Sequence, residues 1–423
     1  MENIELVIGT YENLMLGYKV IKTKNELYSL DVSFTDDSHR GALRSIGVSP
    51  IGILASSSTD DSIRLHNLNK RRDIGGLFEH TGTVNCLTFY GTSHMFSASE
   101  DGNICMWKSK NWEMLRTLKG HKSHVMSIAV HPSGKLGLSV GSDKSFLTWD
   151  LVTGKMAFQR RLKELAQIVL FTNSGDHYIL VYQRKIEVCS LEDTSTVKEI
   201  PLAWRINSVC FIEGNLIAVG GDDRNVIIFD VLSGKQVLSL DCAKPGDKTF
   251  NSRVRSVCVV NNEEDKLVVA GTAIGNIMMF KVSLKESQEV VELVLFYETR
   301  VRVTCLAAYN HSAVIQSNEK KEKNLALKAK KKRKSKKVEE AAGDDNKKEE
   351  ADSRVIEEDS NSEEDDAVME QPQKSPKKNP SKKRKLNGDI EKSEPVERGR
   401  SRQKKVSIQP QKEDNKKKKP KQK

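Results

Sequence analysis

The sequence predicts an all-β protein, a seven-bladed β-propeller followed by a disordered charged tail. Three observations support this prediction. A sequence motif recurs along the chain and is clearest in residues 97–107, where it predicts a strand, a tight Asp-Gly turn and a second strand. His39, His80 and His121 lie 41 residues apart, and a repeat of about 40–45 residues is typical of propeller blades. Beyond Asn318 the composition changes abruptly, and Phe, Tyr, Trp and Cys no longer occur.

The repeat unit has a constant internal spacing. An Asp follows the His by 21 or 22 residues, and an aromatic position follows the Asp by six. Extended along the chain, this spacing places the aromatic position of seven units at residues 18, 66, 107, 149, 189, 229 and 280. A four-stranded meander cannot bury both of its faces alone, so the units are predicted to stack around an axis.

A hydrogen-bonded tetrad is predicted inside the clearest units. A buried Asp carboxylate at a tight turn needs donors, which a His N–H supplies, and a Ser hydroxyl and a Trp indole N–H complete the network. The predicted structural tetrads are His80, Ser97, Asp101 and Trp107, with Ser99 as an alternative to Ser97, and then His121, Ser139, Asp143 and Trp149. The alternative is a catalytic His/Asp pair, but an active site is not expected to recur at the period of the blades.

Both ends of the repeat region carry incomplete units. The N-terminal segment has three strand-like runs, Ile4–Thr10, Leu14–Lys22 and Leu27–Phe34, and Arg300–Ala308 is a lone strand at the other end. Pairing the lone strand with the first three closes the ring and hides the strand edges. The alternative is a six-bladed ring with a frayed N-terminal arm. The propeller domain is predicted to span residues 1–318.

The later units depart from the pattern. The fourth, roughly 159–199, lacks the His, Asp and Trp, the fifth keeps Asp223 without the His, and the sixth has Ile274 at the Asp position. These blades are predicted to rely on apolar packing. The departures mark either plain drift or a surface that binds a partner.

The net charge of the chain lies in its last quarter. Residues 319–423 contain 34 Lys and Arg against 23 Asp and Glu, and the whole chain contains 69 and 58. Residues 1–318 therefore hold 35 of each sign, and the formal charge of +11 belongs to the tail. A segment this charged and this poor in apolar side chains cannot offset its ordering entropy, so disorder is predicted.

Short motifs in the tail predict a location. Two basic clusters resemble nuclear-localisation signals and imply an import receptor as partner: Lys331, Lys332, Arg333 and Lys334, then Lys382, Lys383, Arg384 and Lys385. Contacts with a polyanion, or a solvated linker, are the alternatives. Ser360 and Ser362 in an acidic block and Ser375 before a proline are candidate phosphorylation sites.

The sequence lacks the common signatures of catalysis. It contains no G-x-x-x-x-G-K-[ST] loop, no H-E-x-x-H and no G-x-S-x-G, and its nine His and seven Cys show no metal-ligand spacing. The expectation is a non-enzyme without cofactor, metal or small-molecule substrate. The N-terminus is not a signal sequence and the number of Cys is odd, so a reducing compartment is predicted. No apolar run approaches the ~20 residues of a membrane span, so no membrane association is predicted.

The repeat phrases identify a resemblance to the WD-repeat family over residues 4–310. The match can be narrowed by motifs that include Gly9-Thr10-Tyr11-Glu12, Glu100-Asp101-Gly102 and His131-Pro132-Ser133-Gly134. With these motifs the chain resembles the PAK-interacting WD-repeat proteins, which have a yeast relative in the maintenance-of-killer group.

That resemblance implies a nucleolar, non-catalytic scaffold in assembly of the large ribosomal subunit, with pre-ribosomal proteins as partners and the tail available to ribosomal RNA. In animals it also implies a protein kinase inhibitor. Such a protein binds the regulatory region of PAK kinase and blocks its activation by Rho-type GTPases, and a mainly signalling role is the alternative function. The resemblance assigns no binding residues.

Overall fold

Seven four-stranded antiparallel sheets make up the part of the chain that the structure describes. A computed structural model describes residues 1–24, 27–243, 252–262, 265–285 and 288–312, and within these ranges every regular element is a strand. Each sheet is one blade, so the predicted seven-bladed β-propeller is confirmed. No helix in the described ranges has the length and apolar character needed to cross a membrane.

The strands follow one another around the ring in chain order. The N-terminal strands are β1 (Ile4–Thr10), β2 (Met15–Lys22) and β3 (Tyr28–Asp36). Blade 1 contains β4 (Leu43–Val48), β5 (Ile53–Ser58), β6 (Ile63–Asn67) and β7 (Arg72–Leu77). Blade 2 contains β8 (Val84–Tyr90), β9 (His94–Ser99), β10 (Asn103–Lys108) and β11 (Glu113–Lys119). Blade 3 contains β12 (Val125–Val130), β13 (Leu136–Gly141), β14 (Ser145–Asp150) and β15 (Lys155–Arg161).

The remaining blades have the same arrangement. Blade 4 contains β16 (Ile168–Phe171), β17 (His177–Val181), β18 (Lys185–Ser190) and β19 (Thr196–Pro201). Blade 5 contains β20 (Ile206–Glu213), β21 (Leu216–Gly221), β22 (Asn225–Asp230) and β23 (Gln236–Asp241). Blade 6 contains β24 (Val254–Asn262), β25 (Asp265–Thr272), β26 (Asn276–Lys285) and β27 (Gln288–Glu298), and the last strand is β28 (Val303–Asn310).

The two ends of the chain share blade 7. Its strand order is β28-β1-β2-β3, and β28 pairs antiparallel with β1 in a register that sets Val7 opposite Ala307. The predicted ring closure is therefore confirmed, and the six-bladed alternative is wrong. The last strand starts at Val303, three residues later than predicted, because Arg300 has a positive φ of 60° and so belongs to a turn.

The hydrophobic core lies between neighbouring blades. Strand β5 is buried along its whole length, whereas β15, an outermost strand, is mostly exposed. Between blades 2 and 3, Phe96 and Ile104 pack with Leu147 and Trp149, all less than 2% exposed. This packing explains why each unit needs its neighbours.

Blade 4 packs without any tetrad. Cys189 at its aromatic position is fully buried, and the ring of Tyr178 stacks on Phe146 of blade 3 with centroids 5.2 Å apart. The blade begins at Ile168, later than the predicted boundary near residue 159, because residues 155–161 form the outermost strand of blade 3.

Candidate functional site

The structure brings the four predicted tetrad residues of blade 2 together. The Nδ1 atom of His80 lies 2.9 Å from a carboxylate oxygen of Asp101, and its Nε2 atom lies 2.8 Å from the Ser97 hydroxyl. The indole N–H of Trp107 donates to the same hydroxyl oxygen at 2.9 Å. With Ser97 donating to Nε2, the imidazole has its N–H at Nδ1, where it donates to Asp101. Ser99, the alternative, instead donates to the Gly82 carbonyl at 2.7 Å.

Blade 3 repeats this arrangement with one addition. His121 lies 3.3 Å from Asp143 through Nδ1 and 2.7 Å from the Ser139 hydroxyl through Nε2, and Trp149 donates to Ser139 at 2.8 Å. The hydroxyl of Ser145 also contacts Asp143, at 2.5 Å. Close packing here requires Gly141, because a Cβ at that position would lie 2.5 Å from Nδ1 of the imidazole.

Blade 1 carries a third, modified network. His39 lies 3.1 Å from Asp60 and 2.9 Å from the Ser56 hydroxyl. His66 occupies the aromatic position, but its Nε2 atom lies 3.6 Å from Asp36 of β3 instead of bonding Ser56. Its buried Nδ1 atom has no hydrogen-bond partner within the described ranges. With His in place of Trp, this position contacts blade 7 through Asp36 and still lies 3.9 Å from Asp73 of its own blade.

These networks are closed to a substrate. His80 is 6% exposed, Ser97 is fully buried, and the Trp107 ring is 2% exposed, so no reactant can reach the His–Ser pair. In the described part of the chain, no three His, Cys, Asp or Glu side chains gather into a group that could hold a metal ion. The chemistry that remains is hydrogen bonding that links the inner turn of a blade to its strands.

The contribution of a tetrad Asp to stability can be compared with that of a turn Asp outside any tetrad. Asp101→Ala is expected to leave His80 without its buried acceptor and to lower the free energy of unfolding by about 1–3 kcal/mol. Asp223→Ala is the control and should cost less, because Asp223 bonds the backbone N–H of Arg224 and its blade has no His. Chemical denaturation of both variants measures the difference, and equal losses would contradict a stabilising tetrad.

Acid is expected to destabilise the tetrad blades. Burial lowers the pKa of His39 and His121 from 6.5, although Asp60 and Asp143 act in the opposite direction. Burial alone would raise the pKa of these two carboxyls, but hydrogen bonds, chiefly from Ser62 and Ser145, lower it from 3.8 to about 2.

The unfolded chain therefore binds more protons than the folded chain as the pH falls from 6.5 toward 2, and stability decreases with it. Thermal unfolding between about pH 8 and about pH 3 should give a constant Tm at the alkaline end and a falling Tm on acidification. A Tm that is unchanged down to about pH 4 would contradict neutral buried imidazoles.

Sequence reasoning missed a buried ionic network at the ring closure. Glu5, in β1, is fully buried, and its carboxylate accepts hydrogen bonds from Ser33, Arg71 and His311, the last at 2.8 Å. Burial acts to raise the pKa of Glu5, but His311, Arg71 and Ser33 together lower it to about 2. The sequence feature that could have revealed this network is the single charged residue inside the apolar run Ile4–Ile8. A charged residue that is buried in a strand needs a partner.

The predicted tail sites lie outside the described residues. They are the basic residues Lys331, Lys332, Arg333, Lys334, Lys382, Lys383, Arg384 and Lys385 and the phosphorylation candidates Ser360, Ser362 and Ser375. They stay predictions, as does the domain boundary at residue 318.

Comparison with known proteins agrees with the repeat. The model of the WD domain, G-beta repeat matches residues 72–108 and 112–150, which span the end of blade 1 to the third strand of blade 3. The "p21-activated protein kinase-interacting protein 1-like" of Danio rerio is 37% identical over 308 residues, which are 73% of this chain and 81% of that relative.

Two fungal relatives match over a comparable span. "Shk1 kinase-binding protein 15" of Schizosaccharomyces pombe is 30% identical over 274 residues, 64% of this chain and 75% of the relative. "Protein MAK11" of Saccharomyces cerevisiae is 23% identical over 362 residues, 75% of this chain and 85% of the relative. The chain belongs to the WD-repeat family that contains the p21-activated protein kinase-interacting protein 1 group and its fungal relatives.

Proposed function

We propose that this protein is a non-catalytic scaffold in nucleolar assembly of the large ribosomal subunit. The observation that carries the proposal is its membership of a WD-repeat family that includes protein MAK11, together with a basic tail after the propeller. The closed ring supports this role, since the tetrads are buried and the ring offers the turns between its strands as binding surface.

The proposal divides the work between the two parts of the chain. The propeller, with equal numbers of acidic and basic residues up to position 318, binds pre-ribosomal proteins through its loops. The tail, which holds the net charge of +11, directs the chain to nucleus and nucleolus through an import receptor and adds affinity for ribosomal RNA. In this proposal neither part binds a small-molecule substrate or a membrane.

Sedimentation of a cell lysate tests the scaffold role. The tagged full chain should migrate with large pre-ribosomal particles, and nuclease treatment should return it to the top of the gradient. A chain with Ala at Lys331–Lys334 and Lys382–Lys385 should fold normally but lose nuclear and nucleolar accumulation. Migration of the full chain entirely as a small soluble complex would contradict the assembly role.

A second function, negative regulation of a p21-activated kinase, is favoured by the relatives' names. The relatives from Danio rerio and Schizosaccharomyces pombe are both named for kinase interaction or binding. In this function the propeller occupies the regulatory region of the kinase and blocks activation by a Rho-type GTPase. Addition of the full chain to the kinase and the GTP-loaded GTPase should reduce kinase activity, and unchanged activity at saturating chain would contradict inhibition.

A further inference from the structure

The innermost strands carry a bulge at the end of the ring where the tetrads lie. At six of the seven steps around the ring, all except the step from blade 4 to blade 5, the innermost strand of one blade packs against the innermost strand of the next, so these strands line the central channel. In blades 1, 2, 3, 5, 6 and 7 the register shifts after the first residue of that strand. The residues skipped by the six shifts are Arg44, Asn85, Met126, Asn207, Arg255 and Thr304. A bulge re-aims its side chain, and here it does so at the channel mouth.

Arginines gather at one side of this mouth. Arg44 and Arg255 line a cleft of about 440 Å³ together with Arg40. The pKa of Arg255 is lowered, first by burial and then by the positive charges of Arg253, Arg205 and Arg44, which therefore act on Arg255 from the same side of the mouth. We name Arg40, Arg44, Arg205, Arg253 and Arg255 the arginine crescent. Its members lie at the starts of blades 5, 6 and 1, and blade 7, which stands between blades 6 and 1, contributes Thr304 to the same cleft.

The charge of the crescent is not neutralised by ion pairs within the described part of the chain. Within the described residues, none of its five guanidinium groups forms an ion pair, although the nearby Arg302 pairs with Glu12 at 2.6 Å. Asp222 partly offsets the repulsion at Arg255, while its carboxylate accepts a hydrogen bond from Asn207 at 3.2 Å. Clustered like charges disfavour one another, so an anionic ligand is the natural counterpart of this surface.

The cleft has the features of a peptide site. Its lining includes Tyr11, which is 58% exposed and lies under the Arg302 guanidinium at 4.4 Å from the ring centroid, and the polar side chains of Asn13 and Thr304. An extended peptide can use such a mixed surface, with carboxylates on the arginines. A nucleic acid strand needs a continuous track of positive charge instead. Four of the six bulge positions are uncharged and interrupt such a track, namely Asn85, Met126, Asn207 and Thr304.

We propose that the arginine crescent binds an acidic peptide segment of a partner protein at the mouth of the channel. The proposal rests on the scaffold role above in one respect, that the propeller binds protein, and it adds the surface and the chemistry of the partner. Sedimentation of the wild-type chain tests the scaffold role, and peptide binding tests the crescent. If the peptide does not bind at the crescent, co-sedimentation with pre-ribosomal particles still supports the scaffold role. If the chain does not co-sediment, peptide binding still tests the crescent.

Fluorescence anisotropy on the full chain tests the site. The probe is a fluorescein-labelled decapeptide of alternating Glu and Ser, with a Gln–Ser peptide as the uncharged reference. The variant R44A/R205A/R253A removes three exposed arginines and leaves the half-buried Arg255 in place. The matched control R72A/K155A/R161A removes three exposed positive charges from the outermost strands β7 and β15.

The tail is present in all three proteins, so the comparison isolates the crescent. The crescent variant should weaken binding of the Glu–Ser peptide at least about tenfold near physiological salt, and the control should change it less than about twofold. Both variants should keep the thermal unfolding midpoint of the parent chain.

Two results overturn the proposal. Equal weakening by the two variants would mean that the arginines act through net charge alone. A single-stranded ten-nucleotide RNA that loses more affinity than the peptide in the crescent variant would make this surface an RNA site.

Discussion

Removal of residues 1–35 is expected to make the propeller aggregate. These residues supply three of the four strands of blade 7, and β1 is the strand that pairs with β28. Without β1, the edge of β28 is exposed together with apolar side chains such as Leu306, which packs in one cluster with Leu6 and Ile8. Open edges of this kind promote pairing between chains.

Size-exclusion chromatography with light scattering measures the outcome. Deletion of residues 319–423 is the control, and it should leave a folded monomer because the described strands end at Asn310. A well-behaved monomer after the N-terminal deletion would mean that six blades can close on their own.

The second large effect is expected at the buried carboxylate of blade 7. The double variant Arg71→Ala with His311→Ala leaves the fully buried Glu5 with Ser33 alone among its present partners. A buried charge that loses its partners typically destabilises a protein by about 3–5 kcal/mol. Urea denaturation of the double variant should show a loss of this order.

A rescue distinguishes the charge from the packing. Glu5→Gln in the double variant removes the stranded charge and keeps the shape of the side chain, so it should recover part of the lost stability. In the parent chain the same Glu5→Gln change should be destabilising, because it weakens the bonds from Arg71 and His311. If Glu5→Gln were destabilising in both backgrounds by the same amount, the carboxylate would not be paired with these two residues.

Much of the fold could be predicted because the period of the repeat is a local property of the sequence. The 41-residue spacing of His39, His80 and His121 places three blades directly, and the same spacing found blade 4 although Cys189 is the residue at its aromatic position. The predicted first strand, Ile4–Thr10, matches the observed bounds. Strand ends deviate where turns decide them, as at the positive φ of Arg300.

The remaining features depend on contacts between distant positions. Glu5 meets Arg71 across 66 residues and His311 across 306, and no local pattern links these three. The sequence also could not decide whether Ser97 or Ser99 belongs to the tetrad, because residues two apart on a strand share a face. The arginine crescent could not be predicted from the sequence, because its arginines lie in separate turns and bulges. Only closure of the ring brings the starts of blades 5, 6 and 1 to one rim.

The division of labour between propeller and tail is tested most directly by crosslinking in living cells. Ultraviolet crosslinking to RNA and chemical crosslinking to protein, mapped on the same purified chain by mass spectrometry, locate both kinds of partner. The account predicts RNA crosslinks within residues 319–423 and protein crosslinks on the propeller, including the rim around Arg44 and Arg253. RNA crosslinks confined to the propeller, with protein crosslinks confined to the tail, would contradict it.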